Sequence, residues 1–399
     1  MTVNIENFEI LQILLLVVSI VAMVMSRLRL PYSVGLVVVG GFLAFFPIIA
    51  DIPMSSELIY KVLLPPLIFE AALFLPQKAL AREFPLIITM ATAGVLIAAS
   101  VVTVGLHWLL AWPWISAAIF GALISATDPI SVMAIFKEAN VNDRLKLLIE
   151  GESLFNDGTA AVLFTILVGI AGGASVYAST ILITTISMIF ASIFCSALLT
   201  FFIIYMVGKT EDHLVELTFT TITAYGSFLL AEHFHLSGII ATLTAGLIMG
   251  NRVIHNLISN RGIIAINAFW EYLAFISNSF VFLLIGIREV QQPFQQFVGS
   301  AMIAGLVLLL GRVISILPIG LAFSRGKLKM SMQYQYILCW GGLRGALALA
   351  LALGLPDTVP YRNEITSVTF IVVAFSIIVQ GLTIKPLLSF LGLQKATAK

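Results

Sequence analysis

Residues 121–130 read GALISATDPI and residues 150–159 read EGESLFNDGT, each inside a run apolar enough to cross a hydrocarbon core as a helix. Pro129 has no N–H and cannot bond the carbonyl of Ser125, so the helix through it should break. Freed carbonyls beside the Asp128 carboxylate and the Thr127 hydroxyl are hard oxygen ligands, suited to a small monovalent cation. A second reading is a simple proline kink, with Asp128 capping the half-helix that follows. In the next stretch Ser153 and Asp157 lie four residues apart, and Ser153 and Asn156 three apart, so their oxygens converge on one stripe. Glu152 and Asp157 would repel each other if both were ionised, which implies a nearby cation or a bound proton. The alternative there is a satisfied polar network that stabilises helix packing.

The rest of the chain sets these motifs in a membrane. Of 399 residues, 60% are hydrophobic and 10% charged, with 28 Phe and 12 Met, and the mean hydropathy is +1.07. Soluble domains carry about a quarter charged residues, so this composition excludes one. A net charge of +1 offers no basic surface to nucleic acid, and five His and two Cys have no zinc-ligand spacing. Cys195 and Cys339 read as small apolar side chains.

Thirteen apolar spans can be drawn: 8–26, 31–48, 58–76, 85–106, 115–136, 147–170, 179–207, 215–233, 236–250, 263–287, 298–323, 333–355 and 365–384. Alternate loops hold Arg27, Arg29, Lys78, Arg82, Lys137, Arg144, Lys146, Lys209, Arg252, Arg261, Arg325, Lys327, Lys329, Lys385, Lys395 and Lys399, which is 16 of the 21 basic residues. The opposite loops hold Lys61, Arg288 and Arg362. The positive-inside rule then puts the N-terminus outside and the C-terminus in the cytoplasm, which requires an odd number of crossings. Residues 1–10 lack Lys and Arg while Arg27 and Arg29 follow the apolar run, so span 1 reads as retained rather than cleaved. No linker divides the chain, and residues 385–399 form a short cytoplasmic tail. Spans 1–6 and 8–13 run in opposite directions around span 7, the arrangement of inverted repeats.

A charge at the bilayer centre costs about 2.5–3.5 kcal/mol on insertion scales, so each buried ionisable group needs a reason. Those well inside spans are Glu70, Asp128, Glu152, Asp157, Glu271, Arg312 and Arg344, with Glu150 and Glu232 nearer the ends. Arg344 lies in WGGLRGA, residues 340–346, where three glycines imply close helix approach or a second unwound segment. Spans 5 and 12 correspond in the repeat register. Arg344 is paired here with Glu152 rather than Asp157, since a permanent ion pair would hold a transport carboxylate in one state. Glu70 follows Pro65 and Pro66, whose helix should also lose backbone bonds, and it either lines the ion pathway or partners the broken backbone. Glu271 and Arg312 are left outside the site as helix-to-helix pairing groups.

The run from Gly121 through Ser125, Thr127, Asp128 and Pro129, followed by Gly151 to Asp157, resembles the signature of NhaP-type sodium/proton antiporters of the monovalent cation/proton antiporter 1 family. Pro65, Pro66, Ile68, Phe69, Glu70 and Ala71 are similar to that family's third-helix motif, and Gly342 to Gly345 to its twelfth-helix motif. The resemblance implies an all-α polytopic membrane protein of about 13 transmembrane helices, with an inverted-repeat antiporter fold and two unwound crossing helices at spans 5 and 12. It implies one transmembrane domain over 1–399: repeat one at about 8–170, a linking helix at 179–207 and repeat two at about 215–384. It also implies a homodimer, with a six-helix core moving in an elevator-like cycle against a dimerisation domain.

The same resemblance assigns the cation to Asp157, Ser153, Asp128 and the Thr127 carbonyl, and Asn156 is counted with them among the ion- and proton-binding residues. Glu152, Arg344, Glu70 and Pro129 are supporting residues. Asn156 before Asp157, in place of two aspartates, implies electroneutral exchange. No cofactor is implied beyond the transported ions, Na⁺ with Li⁺ or K⁺ as alternatives, and H⁺. The regulatory tail of animal members is missing, which points to a prokaryotic source. Physically, Asp157 can hold a proton or a metal cation but not both, and competition for one carboxylate produces antiport that would regulate intracellular pH and sodium. Three rivals stand beside this reading: an ion channel, an intramembrane aspartyl protease using Asp128 and Asp157 as a dyad, and a structural or receptor role.

Overall fold

The computed structural model describes residues 5–28, 30–46, 56–173, 178–208, 212–250, 257–291, 294–326 and 328–394. Six of the basic loop residues, Arg29, Lys209, Arg252, Lys327, Lys395 and Lys399, lie outside the described residues, as does the end of the tail. Among the described residues every regular element is helical. Helix α1 is Ile5–Leu28, α2 is Tyr32–Leu43 and α3 covers residues 58–74. Helix α4 is Gln77–Leu110, α5 Trp114–Leu123, α6 Ile130–Glu138 and α7 Asp143–Ala171. Helix α8 is Ala178–Val207, α9 His213–His233, α10 Gly238–Ile248, α11 Asn260–Gln291 and α12 Phe294–Ala322. The chain closes with α13 at Met332–Trp340, α14 at Ala346–Leu353 and α15 at Arg362–Phe390.

Eight of these helices are long and apolar enough to cross a membrane, and α2, α5 and α10 are shorter apolar helices. Their apolar residues face outward as well as inward: Ile183, Ile186, Phe190, Phe194, Leu198 and Phe202 of α8 are all exposed. In water such a surface would drive association, whereas against lipid tails it is the solvated face.

Side-chain caps start several helices. Asn142 accepts from the Arg144 N–H at 2.8 Å ahead of α7, Asp212 from Leu214 at 2.9 Å ahead of α9, and Ser331 from Tyr334 at 3.2 Å ahead of α13. One span boundary and one proline expectation change. The span drawn from residue 85 begins earlier, at Gln77, with Pro85 inside α4, where one proline removes a single backbone bond. At Pro65 and Pro66 the helix widens instead of breaking. A π-helical turn, Leu58–Leu63, precedes them, and the prolines take the first positions of the α-helical part, where their missing N–H groups are least needed.

Two groups of helices pack together. Helices α4, α5, α7, α12, α13 and α15 form one, and α2, α3, α9, α10 and α11, with α1 and α8 at its edges, form the other. Helices α2 and α11 meet backbone to backbone at Gly40 and Gly286, where a methyl at Gly40 would stand 3.1 Å from the Gly286 Cα. Within the first group Arg144 grips the buried Glu83 through Nε and Nη2, both at 2.9 Å, and donates to the Lys329 carbonyl at 2.8 Å, tying α7 to α4 and to the segment before α13. Residues of both helix breaks, at 124–129 and 341–345, line one cavity with residues of α3 and α11.

Candidate cation site at two helix breaks

Helix α5 ends at Leu123 and the chain becomes helical again only at Ile130, while α13 ends at Trp340 and α14 starts at Ala346. The two interruptions touch, with the Asp128 N–H donating to the Leu343 carbonyl at 2.7 Å. A buried backbone that leaves a helix must find other partners. Arg344 Nη1 donates to the Ser125 and Ala126 carbonyls at 2.9 and 3.1 Å, placing a cation at the negative end of α5. On the other break the Arg344 N–H donates to Ser376 Oγ at 2.9 Å, and Gln380 Nε2 reaches the Trp340 carbonyl at 3.1 Å.

The glycines permit this approach. A methyl at Gly345 would stand 2.7 Å from Asp128 Oδ2, and one at Gly342 would stand 2.9 Å from Arg312 Nη2. Gly345→Ala is expected to lower thermal stability in detergent by about 1–3 kcal/mol through overpacking. Gly305→Ala on α12, where nothing lies within 4 Å, should leave the melting temperature the same or higher. Equal melting temperatures for both variants would contradict the crossing.

Asn156 braces the first break from α7. Its Oδ1 accepts the Thr127 N–H at 3.3 Å, and its Nδ2 donates to Thr127 Oγ1 at 2.7 Å and to Glu152 Oε1 at 3.2 Å. Ser153 Oγ donates to the Thr127 carbonyl. Asp128 Oδ1 accepts the Ile130 N–H at 2.9 Å, so it caps the half-helix after the proline, while its other oxygen lies against Gly345. The kink-and-cap reading and the site reading of Asp128 are therefore both compatible with its position.

A cavity of about 50 Å³ opens between the breaks and the second helix group, and Thr127, Asp128, Glu150, Ser153 and Asp157 line it together with Asn278. That volume suits one or two water-sized guests. Among the described residues Asp157 Oδ1 is enclosed and has no hydrogen-bond partner. An orphaned carboxylate oxygen is costly unless a proton or a cation satisfies it. Beside it stand the Ser153 hydroxyl, with its proton committed to Thr127, and the Asp128 carboxylate.

Several sequence-derived residues take other places. Asn156 does not line the cavity, because both ends of its amide are engaged by Thr127 and Glu152. Glu70 is half-buried and also off the lining, although its neighbours Ile68 and Ala71 are on it. The pairing of Arg344 with Glu152 is incorrect. Arg312 of α12 holds Glu152, with Nη1 to Oε1 at 2.7 Å and Nη2 to Oε2 at 3.1 Å, and Nη2 also donates to the Leu338 carbonyl at 2.8 Å. Arg344 is committed to the carbonyls that the helix break exposes, whereas Arg312 approaches Glu152 from an unbroken neighbouring helix. The desolvation of an intramembrane arginine was the signal that could have placed Arg312 in the site.

Residues 13–390 match the family described as "Sodium/hydrogen exchanger, transmembrane". The chain is 37% identical over 393 residues to the Na(+)/H(+) antiporter ApNhaP of Aphanothece halophytica, covering 98% of this chain and 75% of that protein. It is 38% identical over 344 residues to the Na(+)/H(+) antiporter NhaP of Pseudomonas aeruginosa, covering 83% and 80%. The solved sodium proton antiporter MjNhaP1 of Methanocaldococcus jannaschii shares the fold, with a TM-score of 0.80 at 20% identity over 97% of this chain and all of that one. Family match and long relatives agree with a buried carboxylate at two helix breaks: this chain belongs to the sodium/hydrogen exchanger family, as an NhaP-type member of the monovalent cation/proton antiporter 1 group, a family of secondary transporters rather than enzymes.

Proposed function

We propose that this chain exchanges Na⁺ for H⁺ across a membrane, with the two ions competing for Asp157. The observation that carries the proposal is Asp157, one of whose oxygens is enclosed and without a hydrogen-bond partner among the described residues, on the lining of a small cavity shared with Asp128, Ser153 and Thr127. Either guest neutralises the carboxylate, and a neutralised site can pass a low-dielectric barrier. An empty charged site is held back by its desolvation. No separate coupling device is required. Glu152 does not compete for the cation because Arg312 already compensates it.

On this reading the chain makes about thirteen crossings, with residues 8–170 and 215–384 as inverted repeats joined by 179–207 in one domain over 1–399. The breaks at 124–129 and 341–345 are its unwound crossing helices. The loop charges support an outside N-terminus and a cytoplasmic C-terminus. The partition into two helix groups, with the site between them, supports a core that moves against a scaffold, and the scaffold is the surface for a homodimer. One acid beside an asparagine supports one-for-one exchange, which would regulate internal pH and sodium.

Reconstitution in proteoliposomes with a trapped pH indicator tests the proposal. Adding NaCl outside acid-loaded vesicles should alkalinise the lumen with saturable dependence on Na⁺, and parallel additions of LiCl and KCl rank the alternative cations. Clamping the membrane potential at different values should leave the initial rate unchanged within about 20%, since a net charge movement would add roughly 2.3 kcal/mol per elementary charge per 100 mV. Silence towards all three cations would refute the exchange, and a steep voltage dependence would refute its stoichiometry.

A further inference from the structure

Asn278 lies on α11, in the helix group opposite the two breaks, and is 1% exposed. Its Nδ2 donates to the Tyr32 hydroxyl at 2.7 Å, which occupies the nitrogen end of the amide. That oxygen is enclosed and has no hydrogen-bond partner among the described residues. Asn278 lines the same cavity as Asp128, Ser153 and Asp157. Two oxygens without a hydrogen-bond partner among the described residues, one on a carboxylate and one on an amide, thus belong to residues that line a single small space from different helix groups.

We propose that Asn278 is a specificity-determining residue of the exchange, supplying from α11 a neutral oxygen ligand to the cation held by Asp157, directly or through one of the ion's waters. The inference rests on the reading of Asp157 as the shared carboxylate. A buried amide oxygen without a donor is retained at a cost unless something electropositive satisfies it, and a cation satisfies it together with Asp157. A proton on Asp157 does not need the α11 oxygen to neutralise the site, so Asn278 favours the metal over its competitor. Because α11 is not part of the group that carries Asp157, the contact belongs to this conformation and is released when the bodies shift. Tyr32 is a positioning residue: it holds the amide by its nitrogen and leaves the oxygen free.

Kinetics in proteoliposomes test this. Asn278→Leu keeps the volume and removes the oxygen, and it should raise half-saturation for Na⁺ about fivefold or more and change the Na⁺-to-Li⁺ ratio. Its maximal rate should stay within about twofold of the parent, the pattern of a lost ground-state ligand. Asn278→Asp keeps an oxygen and adds charge, and it should lower half-saturation. Tyr32→Phe should raise it by less than Asn278→Leu does. A lower maximal rate at unchanged half-saturation and unchanged ion ratio would mean a bracing role only and would overturn the proposal. If Asn278→Leu does not elute as a single species, Asn278→Asp decides, with unchanged or raised half-saturation counting against it. Failure of the underlying reading looks different: the parent would then show no exchange, or Asp157→Asn would retain it.

Discussion

Replacing Asp157 by asparagine is expected to reduce Na⁺-driven proton movement in proteoliposomes to the level of protein-free vesicles at every pH. The substitution preserves shape and one acceptor oxygen, so the cavity between α7 and the helix breaks should persist. What it removes is the ability to take up a proton and to neutralise a cation. Asp128 cannot substitute, because one of its oxygens caps α6 through the Ile130 N–H at 2.9 Å and the other is pressed against Gly345. Glu152 cannot substitute either, being held by Arg312. The variant should elute and unfold like the parent, which separates lost chemistry from lost fold. Cation-driven proton movement persisting in Asp157→Asn would sink the assignment.

The second large effect concerns stability. Arg312→Met should destabilise the protein by about 3–5 kcal/mol, because it strands the Glu152 carboxylate in a site where, among the described residues, the Asn156 amide alone remains to bond it. Combining Arg312→Met with Glu152→Leu should recover most of the loss, since replacing both members of a buried ion pair by apolar side chains is often neutral. A double-mutant cycle on thermal unfolding in detergent measures the coupling. The corresponding cycle between Arg344 and Glu152 should give a much smaller coupling, as Arg344 bonds the Ser125 and Ala126 carbonyls. Coupling to Arg344 as large as that to Arg312 would contradict this arrangement.

Much of the candidate site was legible in the sequence. Pro129 dictated a helix interruption because a missing N–H is a local, covalent fact, and spacings of three and four put Ser153, Asn156 and Asp157 on one face of α7. Less legible was which of those side chains would face the cavity. Asn156 satisfied every helical-spacing criterion, yet its amide is consumed by Thr127 and Glu152. Asn278 gave only the signal of an amide in a span that also holds Asn267, Glu271, Ser277 and Ser279, and that signal says nothing about which cavity the span will border. Pro65 and Pro66 misled in another way, because a π-helical turn can absorb what looks like a break.

Hydropathy, loop charge and the positions of proline determined that this is a helical membrane protein with acids buried near two interrupted helices. These properties depend on each segment's own free energy of burial and on its own hydrogen-bond donors. Partner choice among Arg312, Arg344, Glu152 and the freed carbonyls was decided only in the folded protein. A guanidinium in a low-dielectric interior binds whichever acceptors the packing of neighbouring helices brings within 3 Å or so, and that distance is set by side chains far apart in the chain.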